Sequence, residues 1–265
     1  MIRHIEALEY LGVAAGGRNE PLQVTGVDSD GELLDLYLKP SGRPELGFEG
    51  LSNELLAAMI AGELGLPVCE PLIVSMTPEW IATIPDNGLR VVLQQSCPLA
   101  FGSRGAGKGW KLWSDGDTIL SDRRAAALSI FAFDAFTGNA DRRDVKPNLL
   151  VRGPDLRMID HELCFGLRMK LFPRVAPWEL GNLSHLTNAS QHVLGPLLKG
   201  NRTLDFAALR TPWANIADDR LADFEACIPI EWSAAAAAMT DAITHVKTVR
   251  DRIDDCLVEI ERTLR

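Results

Sequence analysis

The sequence predicts an α+β chain in two parts: a small antiparallel sheet with one helix, then a mostly helical remainder. Three observations predict it. Residues 21–27 and 33–39 are apolar runs joined by the turn Asp28-Ser29-Asp30-Gly31, and Leu34, Leu36 and Leu38 alternate onto one face. Residues 52–64 carry apolar side chains at helical spacing, with Leu51, Leu55, Ala58, Met59 and Gly62 along one side. From residue 122 onward helical patterns dominate, interrupted by one short apolar hairpin at residues 148–160.

Composition narrows the classes. The chain has 265 residues, 46% hydrophobic and 24% charged, as in a globular protein with a sizeable core. A net charge of −9 argues against nucleic acid and against an anionic membrane surface as partners. The five cysteines are widely spaced, with no CxxC, so neither a zinc site nor a disulfide framework is indicated and reduced thiols in the cytoplasm are expected. The opening MIRHIEALEY lacks the apolar core of a signal peptide.

Residues 1–13 read as an amphipathic helix or an opening strand. The loop Ala14-Ala15-Gly16-Gly17-Arg18-Asn19 leads into the hairpin, where Gly17, Arg18 and Asn19 could offer backbone N–H groups to phosphates. Lys39 closes the second strand, and Glu54 lies beside the apolar side of the helix that follows, with Glu49 and Glu63 as other possible partners for the lysine. Gly65 and Pro67 end that helix. Residues 68–75 and 90–95 are expected as further strands, with a short helix and a turn over 78–88. The small lobe then spans residues 1–95, with a hinge near 93–96. Gly102 to Lys108 satisfies GxxxxGK, but Gly109 replaces the hydroxyl residue of a phosphate loop and no helix pattern follows. A mobile loop at a cleft edge is the expectation there.

Residues 122–136 form an apolar helix with Asp122 as its cap and Asp134 as a structural acid. The stretch TGNADRRDVKPNLLVRGPDLRMIDHELCF comes next. Residues 148–151 and 156–160 read as strands about the turn Arg152-Gly153-Pro154-Asp155. If Val151 opposes Leu156, then Asn148 opposes Ile159 and the open end holds an amide beside the carboxylate of Asp160. Facing residues lie roughly 5 Å apart at Cβ, a separation at which two oxygens suit one Mg²⁺. Asp141, in the loop before, adds the carboxylate that phosphoryl transfer needs to orient an attacking hydroxyl. Asp144 is the alternative for that role. His161 is expected as a hydrogen-bonded structural histidine.

GNADRRDVKPNLLV and MIDHELCF, with LYLKPSG and GLSNELLAAMIAGELGLPVCEPLIV upstream, resemble the HipA-like kinases, in particular a subgroup with a DRRxxNPN loop. The resemblance covers roughly residues 10–170 and departs at Lys146, where that subgroup usually has Asn. It implies a two-lobed, protein-kinase-like fold: a single domain over 1–265 divided into an ATP-binding lobe (1–95) and a helical lobe (96–265). It implies Lys39 as the nucleotide lysine, Glu54 as its partner, Asp141 as the catalytic acid, and Asn148 and Asp160 as Mg²⁺ ligands. It implies Mg-ATP as phosphoryl donor and a protein serine or threonine as acceptor. A pseudokinase-type binding module and a small-molecule or lipid-head kinase are the alternatives. An antitoxin-like partner and a homodimer are left open.

Residues 173–213 are broken by prolines into short helices and loops. Residues 232–264 are helical, with Ile243, Val246, Val249, Ile253, Leu257, Ile260 and Leu264 as a packing stripe for the same chain or a second copy.

Overall fold

The computed structural model describes residues 2–14, 21–43, 47–166 and 176–265. Alternation of inward and outward side chains shapes the first strands. In β1 (Arg3–Val13) Ile5 and Ala7 turn inward, in β2 (Leu22–Asp28) Leu22 and Val24, and in β3 (Leu33–Lys39) Leu34, Leu36 and Leu38. β1, left open between helix and strand by the sequence, is therefore a strand. Helix α1 (Gly47–Glu63) follows and ends in a left-handed Gly65.

The next segment differs from the sequence reading. β4 (Pro71–Ser75) and α2 (Pro78–Ala82) lie within expected limits, but residues expected as a strand form α3 (Asn87–Gln95). Asp86 caps it, accepting from Leu89 N at 2.6 Å, and Leu89 and Leu93 bury one face. The hinge expected near 93–96 thus falls on the end of a helix. The last strand of the sheet is β5 (Leu99–Arg104), beyond residue 95 and running into the start of the expected mobile loop.

The five strands close into a barrel in the order β1-β2-β3-β5-β4, rather than an open antiparallel sheet. The closing pair, β1 with β4, runs parallel, with Arg3 opposite Leu72. Two glycines make closure possible. A Cβ on Gly26 would lie 2.4 Å from Ile5 Cγ2, and one on Gly102 would lie 2.5 Å from Val74 Cγ2.

After the barrel, β6 (Lys111–Leu112), β7 (Leu149–Arg152) and β8 (Asp155–Met158) form a small sheet, and α4 (Arg124–Thr137) runs between its first two strands. The β7–β8 register is the expected one: Val151 faces Leu156 and Leu149 faces Met158. Asp122 does not cap α4. Arg123 stands there without a capping bond, its guanidinium donating to the carbonyls of Thr118 and Gly153. Helix α4 is buried from Ile130 to its end, and Phe131, Phe133 and Phe136 form the centre of the larger core.

The remaining helices are α5 (Gly195–Leu198), α6 (Arg210–Ala214), α7 (Asp218–Ala226), α8 (Ala236–Asp251) and α9 (Ile253–Leu264). The break at Arg252 folds the C-terminal stripe inward, and all seven of its residues are buried in this chain's own core. Trp232, fully buried, joins the parts: it packs on Leu51 and Leu55 of α1, Ile73 of β4 and Phe101 of β5, and its Nε1 donates to Leu99 O at 3.2 Å. Truncating it to alanine should cost about 3–5 kcal/mol. No helix among the described residues is long and apolar enough to cross a membrane.

Candidate active site

Lys39, the last residue of β3, breaks the alternation: it and Leu38 are both buried. Its Nζ enters a ring of carboxylates. It is hydrogen-bonded to Glu54 of α1, and lies 2.6 Å from Asp160 Oδ1 and 3.4 Å from Glu162 Oε2. Burial alone would favour neutral lysine, but these three carboxylates outweigh it and hold the ammonium well above its usual range. Burial, reinforced by Asp160 and Glu162, pushes Glu54 up to about 7 against the pull of Lys39. The carboxylates of Glu54, Asp160 and Glu162 are close enough to chelate an ion. Lys39 already supplies the cation at their centre.

Helix α1 also fixes the segment after β8. Glu54 Oε2 accepts from His161 N at 2.8 Å, and Asn53 Nδ2 donates to Glu162 O at 3.2 Å. Asn53 carried no pattern in the sequence that could have singled it out.

The loop between α4 and β7 is built on Asp134. Its carboxylate accepts from Arg142, from Asn139 Nδ2 at 2.8 Å, and meets His192 Nε2 at 3.0 Å. Arg142, wholly buried, also donates to Asn148 O. Burial would raise Asp134, but Arg142 and His192 hold it well below the usual carboxylate range. Asp134 is thus a structural acid, as expected. Arg142 and His192 were not anticipated: His192 is 58 residues from Asp134, and nothing local in the sequence turns Arg142 back toward the helix end.

This frame presents Asp141, which is 4% exposed. Its carboxylate accepts from Arg143 at 3.1 Å, from Asn148 Nδ2 at 3.1 Å, and from Lys146. Asp144, the other acid left open by the sequence, is exposed, and its carboxylate accepts from the adjacent Val145 N. The structure therefore brings Asp141, and not Asp144, to the cluster.

Asn148 and Asp160 stand at the open end of the hairpin, where Ile159 N donates to Asn148 O at 3.1 Å. Both take left-handed backbone, with φ of 46° and 61°. Such backbone costs about 1–2 kcal/mol per residue and is held only where the surroundings impose it. Asn148 turns Nδ2 to Asp141, so its carbonyl oxygen is the atom left to face a cation. Asp160 receives Lys39 on Oδ1 and Lys146 on Oδ2, the latter at 2.9 Å. Burial would raise Asp160; Lys39 and Lys146 hold it well below the usual range.

These groups border a cavity of about 500 Å³. Lys39, Lys146, Asn148 and Asp160 make its polar end, and Phe101, Leu150 and Ile159 supply apolar wall. Asp141 lies just behind Lys146. Gly17, Arg18 and Asn19 lie outside the described residues. The GxxxxGK stretch begins inside β5, with no helix after Lys108, so it is not a phosphate loop.

His161 corrects an expectation. It is buried, but neither ring nitrogen has a hydrogen-bond partner among the described residues, and the ring meets Phe133 edge-on. Burial, with Arg142 nearby, pushes it down to about 3.

A lysine–glutamate pair, a loop acid, an Asn and an Asp around one cleft define a kinase by class. The structure is similar to that of the Helicobacter pylori proinflammatory kinase CtkA, with a TM-score of 0.56 over 96% of each chain and 13% identity, which is a likeness of fold. No curated protein matches the chain at a significant level. The family model for the HipA-like kinases matches residues 27–175, which include Lys39, Glu54, Asp141, Asn148 and Asp160. The chain belongs to the HipA-like kinase family.

Proposed function

We propose that this kinase transfers the γ-phosphoryl group of Mg-ATP to the hydroxyl of a protein serine or threonine. The barrel and α1 act as the small lobe and the helical remainder as the large lobe of a single domain over 1–265, working in the cytoplasm. One observation carries the reading: Lys39, Asn148 and Asp160, far apart in sequence, line one cavity, with Glu54 bound to Lys39 and Asp141 to Asn148 behind them.

Lys39 binds the phosphates, and Glu54 keeps its ammonium aimed there while anchoring the backbone next to Asp160. Magnesium fits the donor set, a carboxylate at Asp160 and an amide oxygen at Asn148, both hard oxygens. When bound, it neutralises charge on the phosphates. Asp141 orients the acceptor hydroxyl and takes its proton. Arg143, Asn148 and Lys146 hold that carboxylate in place. The apolar wall of Phe101, Leu150 and Ile159 suits a nucleobase.

Incubation with γ-labelled ATP, Mg²⁺ and standard protein acceptors tests the proposal. Label should enter protein, and Asp141→Asn should slow transfer by about 10²–10⁴-fold. Label confined to small hydroxyl compounds would replace the protein acceptor. Absence of turnover with nucleotide bound would make the chain a binding module.

A further inference from the structure

Lys146 lies on the loop between Asp141 and Asn148, and its side chain lines the cleft. It contacts Asp141 Oδ2 and lies 2.9 Å from Asp160 Oδ2. Kinases of this general design hold two Mg²⁺ between the metal Asp and the loop Asn. That arrangement asks both oxygens of the Asp to serve ions. Here Lys146 takes Asp160 Oδ2, while Lys39 on Oδ1 is also held by Glu54 and Glu162 and turns to the phosphates when they bind, which leaves Oδ1 for one ion. Lys146 lines the cavity, its side chain 27% exposed, so its charge faces the space that phosphates would enter. An ion placed between Asp141 and Asp160 would lie against this ammonium, and like charges at such a distance repel strongly in a partly buried site.

We propose that Lys146 takes the place of one of the two divalent ions, so that this kinase works with a single metal ion. The inference rests on the Mg-ATP reading above. Lys146 supplies a fixed positive charge beside Asp141, and Asn148 and Asp160 hold the one remaining ion. An Asn at position 146 would remove that charge and open the place for a second ion.

Manganese binding to the full chain, read from the electron paramagnetic resonance of free Mn²⁺ in the presence of the non-hydrolysable imido analogue of ATP, tests this. The wild type should bind one Mn²⁺ per bound analogue, Lys146→Asn two, and Lys146→Arg one. In parallel, the wild-type rate should stop rising once all ATP is complexed with Mg²⁺, whereas the rate of Lys146→Asn should keep rising with free Mg²⁺. Two ions in the wild type, or one ion in a folded Lys146→Asn, would overturn the single-ion inference while leaving the kinase reading intact. No binding of analogue or Mn²⁺ to the wild type would remove the kinase reading and this inference with it.

Discussion

Asp134 and Asp160 are both carboxylates withdrawn from water, one at the end of the buried helix α4 and the other at the mouth of the hairpin. Around Asp134 the partners balance. Arg142, Asn139 and His192 meet its two oxygens, and all four residues are buried. Around Asp160 they do not. Lys39 is shared among Asp160, Glu54 and Glu162, Lys146 between Asp160 and Asp141, and the backbone at Asp160 and Asn148 is left-handed. The first cluster is a closed network that fixes the loop. The second holds crowded acids and strained backbone at the edge of a cavity, an arrangement that improves when a cation arrives. Burial of charge therefore does not by itself distinguish scaffold from site; the balance of partners does.

The contrast predicts opposite outcomes for similar substitutions. Asp134→Ala leaves Arg142 buried without its carboxylate and should lower stability by about 3–5 kcal/mol, a drop in Tm visible by calorimetry. Asp160→Ala should lower Tm less than Asp134→Ala, since it also relieves crowding among the carboxylates around Lys39, while reducing phosphoryl transfer by about 10³-fold. A large loss of Tm in Asp160→Ala with activity retained would reverse the assignment of the two clusters.

Glu54→Gln is a milder test. It keeps an acceptor for His161 N but removes the charge that steadies Lys39. The apparent KM for ATP should rise about tenfold to a hundredfold, in line with the roughly 1.5–3 kcal/mol of a charge-assisted hydrogen bond. An unchanged KM would mean that Asp160 and Glu162 alone suffice to hold the lysine.

The remaining effect is confined to acid pH. His161 has its folded pKa depressed to about 3 by burial, below its unfolded value. The unfolded chain therefore takes up the proton first, and stability falls as pH drops below about 6.5 towards 3, by roughly 1.4 kcal/mol per pH unit. His192, also depressed by burial, adds to the same trend. His161→Phe should flatten the acid side of the stability profile measured by urea unfolding. An identical slope in the variant would show that His161 gains a proton in the folded protein too.

Much of this was legible in the chain. Alternation gave β2, β3 and the β7–β8 register, because a half-buried strand writes its pattern directly into sequence. Of the five candidate site residues, Lys39 ends β3 and Asn148 and Asp160 flank the β7–β8 hairpin, positions that alternation marks, whereas Glu54 lies inside α1 and Asp141 in a loop, where only residue type pointed to them. The barrel was not. Its closure depends on β1 meeting β4 across about seventy residues, a long-range pairing that no local pattern encodes. Residues 90–95 and 99–104 were exchanged for physical reasons. Val91 and Val92 favour a strand until Asp86 caps the helix, whereas Gly102 looks flexible but is small so that β5 can lie against Val74. Lys146 was visible as a departure from the related loops, but its place between Asp141 and Asp160 emerges only when the hairpin and loop fold together.

Calorimetric titration of Mg-ATP into the wild type, Asp160→Ala and Asp141→Asn addresses the site as a whole. Binding by the wild type that requires Mg²⁺, is lost in Asp160→Ala and is kept in Asp141→Asn is the predicted result, with Asp160 holding the metal and Asp141 acting only on the acceptor. A folded wild type that takes up no nucleotide, or an Asp160→Ala variant that binds Mg-ATP as tightly as the wild type, would contradict it.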